Sequence, residues 1–163
     1  MFKEQARIDL DKGYEKLGLT HDEVNIMDPI VIHGPHINNI RYSPAIRRGK
    51  DKLVRSSNHE VIAFYFGKDQ VYVYYYSFSV IDNERNEMID AYFYEDVISV
   101  STSSTTTAYY NSAKKKDEFV NLHSINFNTY GPTSIHCSIQ NLQRVEEKIY
   151  EMKNLLRDKK RAS

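Results

Sequence analysis

The chain has 163 residues, 40% of them hydrophobic and 27% charged, with Lys+Arg and Asp+Glu equal at 22 each. This is the composition of one soluble globular domain, not of a disordered chain. A balanced charge gives no long-range pull toward nucleic acid or an anionic membrane, so any such binding must come from a local patch.

Thirteen Tyr and no Trp point to strands and half-wet surfaces, because the Tyr ring packs while its hydroxyl seeks a partner. Cys137 is the single cysteine, so no intramolecular disulfide can form. The N-terminus is charged throughout, and no stretch approaches the roughly 20 apolar residues of a membrane span. These features together lead to the expectation of a cytoplasmic protein.

In chain order, Phe2, Ala6, Leu10, Tyr14 and Leu17 recur three or four apart and predict a helix over 2–17, ended by Gly18. Thr20 and Glu23 form a capping-box pattern that predicts a second short helix over 22–27. Asp28-Pro29 breaks it, and Ile30 to Ile32 read as a short strand. Residues 36–58 are polar, contain Pro44 and Gly49, and carry Arg41, Arg47, Arg48, Lys50, Lys52 and Arg55 against one acid, Asp51. A solvated loop is the plain reading, with anion binding as the functional one.

Residues 61–100 are the aromatic heart of the chain. Val61 to Phe66, Val71 to Val80 and Met88 to Val100 read as strands, separated by Gly67-Lys68-Asp69 and by a polar tip from Asp82 to Asn86. They predict an antiparallel meander. Alternation places Val71, Val73 and Tyr75 on one face and Tyr72, Tyr74 and Tyr76 on the other. On the third strand Ile89, Ala91 and Phe93 oppose Tyr92 and Tyr94. Both faces are apolar, so the second needs a cover: the N-terminal helix, the C-terminal helix or another protomer.

Ser101 to Thr107, reading STSSTTT, has no apolar anchor and is expected to be a loop or a frayed strand end. A second connection over Asn111-Ser112 and Lys114 to Lys116 leads to a strand from Phe119 to Phe127. After a turn through Gly131-Pro132, Thr133 to Cys137 form a short last strand. Leu142, Val145, Ile149, Met152 and Leu156 then mark an amphipathic helix over about 139–157, with a basic tail over 159–163.

This order resembles a bacterial pleckstrin-homology-like domain over residues 52–157. Tyr92-Phe93-Tyr94-Glu95-Asp96-Val97-Ile98-Ser99-Val100 is similar to the family's "Y-x-D-I/V-x-S-V" strand. Thr129-Tyr130-Gly131-Pro132-Thr133-Ser134-Ile135 resembles its late "T-S-G-G-T-S-I" hairpin. The resemblance implies a mainly β α+β fold. Its antiparallel meander would form a bent, partly open barrel capped by a C-terminal amphipathic helix. It implies a domain over 51–158 behind an N-terminal helical and loop appendage over 1–50. Lipid-binding members use basic residues in the loop joining their first two strands. That loop is the basic segment if the Ile30 strand is the first, and holds only Lys68 if the Val61 strand is. Bacterial members are mostly assembly or protein-binding modules.

Catalytic and metal patterns are weak. His33 and His36 lack a convincing third ligand and have Gly34-Pro35 between them. His136 and Cys137 are adjacent on a strand and point to opposite faces, so they cannot act as base and nucleophile. No phosphate-binding loop or dinucleotide fingerprint is present, and no cofactor is expected. The leading expectation is a non-enzymatic module that binds a protein partner or self-associates through Tyr72, Tyr74, Tyr76, Tyr92 and Tyr94. The alternative is anion or lipid-headgroup binding by Arg47, Arg48, Lys50, Lys52 and Arg55. Single-stranded nucleic-acid binding or an unrecognised enzyme ranks third, because the Tyr-rich strands carry almost no Lys or Arg among the rings.

Overall fold

The computed structural model describes residues 2–36, 46–81, 83–111, 114–131 and 134–162, with side chains from residue 4 onward. Arg41, Pro44, Asp82, Ser112, Pro132 and Thr133 lie outside the described residues. The elements in order are α1 (Phe2–Leu17), β1 (Met27–Pro35), β2 (Ile46–Arg48), β3 (Val54–Ser56), β4 (Asn58–Phe66) and β5 (Gln70–Ser79). They continue with β6 (Arg85–Phe93), a 3-10 turn (Tyr94–Asp96), β7 (Val97–Asn111), β8 (Lys116–Thr129), β9 (Ser134–Ile139) and α2 (Leu142–Ala162). The fold is mainly β, with antiparallel sheets that are not closed into a barrel and a helix near each end of the chain.

One sheet has the order β1-β4-β5-β6 and another β7-β8-β9, while β2 and β3 make a separate hairpin. The two larger sheets share one core. Ile30, Ile32, Ile62, Phe64, Val71 and Val73 meet Ile125, Phe127, Ile135 and Cys137, and Ile149, Met152 and Leu156 of α2 close the space between them. Phe64 and Phe127 rings lie 5.3 Å apart across this core. Each fully buried side chain of this size contributes roughly 1.5–3 kcal/mol by leaving water. The far end of α2 is tied down by Lys159, whose ammonium donates to the Lys68 carbonyl at 2.6 Å.

Several elements differ from the sequence-based expectation. α1 ends as expected, since Gly18 takes φ +65 and the Leu19 N–H returns to the Tyr14 carbonyl at 3.0 Å. The Thr20–Glu23 pattern closes a single turn, not a helix: the Thr20 N–H donates to Glu23 Oε2 at 2.7 Å. Pairing then wins, because the Ile26 N–H bonds the Phe66 carbonyl and Val24 is buried. β1 is longer than Ile30–Ile32 and absorbs Pro29 in a register shift between Met27 and Ile30. It pairs along β4, so part of the 1–50 segment belongs to the main sheet.

The predicted strand from Met88 to Val100 is cut at Tyr94–Asp96, where the chain leaves one sheet for the other. The STSSTTT run is the middle of β7, the longest strand, and not a loop. Hydroxyl and amide groups replace the missing apolar signal. Ser103 and Ser124 hydroxyls lie 2.8 Å apart, Ser104 donates to Asn121 at 2.7 Å, and Asn128 donates to Ser99 at 3.0 Å. The expected basic tail is the last turn of α2, which runs to Ala162.

Candidate functional site

The five candidate tyrosines do not form one surface. Tyr72, Tyr74 and Tyr76 face α1, and Tyr92 and Tyr94 face the core between the sheets. α1 covers the inner strands of that face, where Leu10, Tyr14 and Leu17 pack on Ala63, Tyr65 and Tyr74, but it leaves Ile89 and Phe93 of β6 exposed.

Polar groups fix the helix in register on this face. The Tyr65 hydroxyl donates to the Leu10 carbonyl at 2.7 Å, and the Tyr76 hydroxyl to the Asp9 carboxylate at 2.7 Å. Tyr74 donates to Glu87 at 2.8 Å, and Glu87 pairs with Lys16 at 3.1 Å. Lys12 sits 4.6 Å above the Tyr76 ring. Burial first, then the neighbouring carboxylates, push the Tyr74 and Tyr76 phenols above their ordinary value, so both stay neutral donors. Tyr94 is buried and donates to the Gly67 carbonyl at 2.7 Å. Half-buried Tyr92 donates to Asp90 at 2.9 Å.

The basic candidates divide between the β2–β3 hairpin and its turn. Arg47 and Arg48 are on β2, Arg55 is on β3, and Lys50 and Lys52 occupy the turn between them. All five are exposed. Arg55 pairs with Asp51 at 2.6 Å, and that hydrogen bond holds the Asp51 carboxyl down at about 2. Arg55 is therefore already paired within its own hairpin.

Arg48 has a different neighbourhood. β2 packs beside β7, which puts Arg48 within electrostatic reach of Tyr109 and Lys114. Lys114 is itself bonded to Glu118 at 2.6 Å. An open cleft of about 410 Å³ lies there, lined by Arg48, Lys52, Asn121, His123, Gln140 and Gln143 among others. The third basic segment is elsewhere: Lys159 and Lys160 reach the Lys68 and Ile98 carbonyls.

His33 and His59 are half-buried, and burial holds both below the ordinary histidine pKa. Among the described residues, no group of three or more His, Cys, Asp or Glu side chains is placed to hold a metal ion. Cys137 is buried and His136 is exposed, as their alternation on β9 requires. Burial raises the Cys137 thiol well above its ordinary value, so it remains protonated and poorly nucleophilic. Among the described residues, no helix is long and apolar enough to cross a membrane.

The feature that sequence reading missed is the outer edge of β7. A loop or a frayed strand end was expected over Ser101–Thr107, where the structure has the middle of an exposed edge strand. Its detectable signal was the absence of any charge, Pro or Gly from Val97 to Asn111. Comparison of the chain with protein-family models, with curated proteins and with solved structures finds no match.

Proposed function

We propose that this chain is a non-enzymatic interaction module of the bacterial pleckstrin-homology-like type, working in the cytoplasm by self-association or by binding another protein. The observation that carries the reading is the distribution of exposed apolar groups. The tyrosine-rich inner strands are covered, whereas Ile89 and Phe93 on β6 and Tyr110 and Phe119 on the β7–β8 hairpin are exposed, the last two at 64% and 68%. Exposed aromatic groups of this kind mark contact surfaces. The strand order supports the family reading: with the Ile30 strand counted first and the β2–β3 hairpin as an insertion after it, a four-stranded antiparallel sheet, a three-stranded one and a helix follow in turn.

Light scattering of the purified protein across a concentration series tests this reading, together with capture of a defined partner. Self-association is expected to appear as a mass that rises with concentration. A strict monomer at high micromolar concentration that also captures no partner would count against the module.

A second reading is favoured by one observation, the meeting of Arg48 and Lys52 with His123 and Gln140 around a cleft. Such a cleft suits a phosphate-bearing anion. Titration with inorganic phosphate and with phosphatidylserine vesicles tests it and separates a free anion from a lipid headgroup. Binding that persists unchanged in Arg48→Ala/Lys52→Ala would sink it.

A further inference from the structure

We propose that the outer edge of β7 pairs with the same edge of a second copy of this chain, antiparallel about a two-fold axis at Ser104, joining two β7-β8-β9 sheets into one. This rests on the self-association reading above and names its surface and partner.

β7 runs for 15 residues, about 50 Å of extended chain, and ends the β7-β8-β9 order. Its ladder to β8 is unbroken from Ser99 to Asn111. In an antiparallel ladder alternate residues turn their N–H and C=O groups away from the partner strand. Among the described residues, no strand takes up those groups; Lys160 of α2 donates to the Ile98 carbonyl at the start of β7, and β2 packs beside the strand, which leaves the middle of the edge open. Residues 101–106 are all exposed.

Natural sheets protect such edges with charge, proline, a bulge or a covering segment, because an unprotected edge recruits another strand. The other edges here follow that rule. β9, also without charge or proline, packs against β1 and β4, and its Ser138 N–H donates to Glu60. β6 carries Arg85, Glu87 and Asp90. β1 has Pro29 at an irregularity in its pairing, and the Gln140 N–H bonds its His33 carbonyl. β2 and β3 carry Arg47, Arg48 and Arg55. From Val97 to Asn111 there is no Lys, Arg, Asp, Glu, Pro or Gly, and the one irregularity lies at the start, between Val97 and Ser99.

The residue pattern selects a second copy as the partner. Every position from Ser101 to Thr107 is Ser or Thr, so antiparallel self-pairing opposes hydroxyls with hydroxyls and brings no like charges together. A balanced net charge adds no repulsion between copies. The pattern also selects a register. On one face Val100, Thr102, Ser104, Thr106 and Ala108 read nearly the same in both directions about Ser104. With the axis there, Val100 lies opposite the partner's Ala108 and Thr102 opposite the partner's Thr106. On the other face Ser103 meets the partner's Thr105, and Ser101 the partner's Thr107.

The full chain with Ser104→Cys tests the register. Cys137 is buried and its thiol stays protonated, so the thiol introduced on β7 is the reactive one. Under mild oxidation this variant is expected to form a covalent dimer, while Asn86→Cys on β6 is not. Thr102→Lys/Thr106→Lys sets two lysines against two and is expected to weaken the dimer about tenfold or more by light scattering. Mixing it with Thr102→Glu/Thr106→Glu is expected to restore a heterodimer, which a misfolded variant would not do. A dimer that survives the lysine pair overturns the β7 contact and leaves self-association through another surface standing. A monomer at every concentration, with no more cross-linking at Ser104→Cys than at Asn86→Cys, overturns both.

Discussion

The Tyr76 hydroxyl and the Asp9 carboxylate, 67 positions apart in the chain, meet at 2.7 Å and join β5 to α1. Asp9 is only 2% exposed and also accepts from the Gln5 side chain at 3.1 Å. Removing a donor from a buried carboxylate leaves desolvated charge unsatisfied, which costs more than the hydrogen bond itself adds. Tyr76→Phe is expected to destabilise the fold by about 1–3 kcal/mol in urea unfolding. Asp9→Asn keeps an acceptor and is expected to cost less. An equal loss in both variants would show that the carboxylate's charge matters as much as the contact.

Gly13 lies against the Tyr65 ring so closely that a Cβ there would stand 1.9 Å from the phenolic oxygen. In an open helix Gly→Ala stabilises by about 1 kcal/mol. Here the sign is expected to reverse, because the ring is fully buried and held by its bond to the Leu10 carbonyl. Gly13→Ala should lower the melting temperature and speed proteolysis within α1. Tyr65→Phe, which removes the nearest atom, should recover part of the Gly13→Ala loss.

Glu60 is a buried carboxylate that links three strands. It sits on β4, accepts the Tyr75 hydroxyl of β5 at 2.9 Å and accepts the Ser138 N–H of β9 at 2.5 Å. Glu60→Ala leaves a half-buried hydroxyl and a buried amide without their acceptor, and is expected to cost more than Glu60→Gln. A double-mutant cycle of Glu60→Ala with Tyr75→Phe is expected to give a coupling of about 0.5–3 kcal/mol, as for residues in direct contact. Additive losses would show that the pair acts independently.

His33 and His59 make stability depend on pH. Burial lowers both pKa values, so each holds fewer protons folded than unfolded between its folded value and the ordinary histidine value of about 6.5. Their contribution is complete above that ordinary value and is lost as pH falls through it toward the folded value. Melting temperature is therefore expected to fall between pH 7 and pH 5. His59→Asn, which removes one titrating ring from beside Phe78, should flatten the slope. A melting temperature that rises over this interval would reverse the sign assigned to burial.

Much of the architecture is legible from spacing. The stripe of α2 places Ile149, Met152 and Leu156 in the core, and period-two alternation on β5 correctly divides Val71, Val73 and Tyr75 from Tyr72, Tyr74 and Tyr76. β7 is illegible for the opposite reason. Ser and Thr carry no hydrophobic periodicity, and its central strand character comes from hydroxyl and amide partners on β8. Pro29 misleads because an edge strand can absorb it at an irregular step.

Residue pattern alone establishes that the meander has two apolar faces and needs a second cover, since no polar coat is encoded on its inner strands. The choice of α1 as that cover belongs to the folded chain, through bonds from Tyr65 and Tyr76 to residues far away in sequence. Folding likewise sets β2, with Arg48, beside β7 and ties Lys159 to the Lys68 carbonyl. Local pattern specifies which face of an element is apolar. It does not specify which distant element fills that face, because that choice depends on shape, on hydroxyl and carbonyl geometry, and on which strand edges remain open after the sheets form.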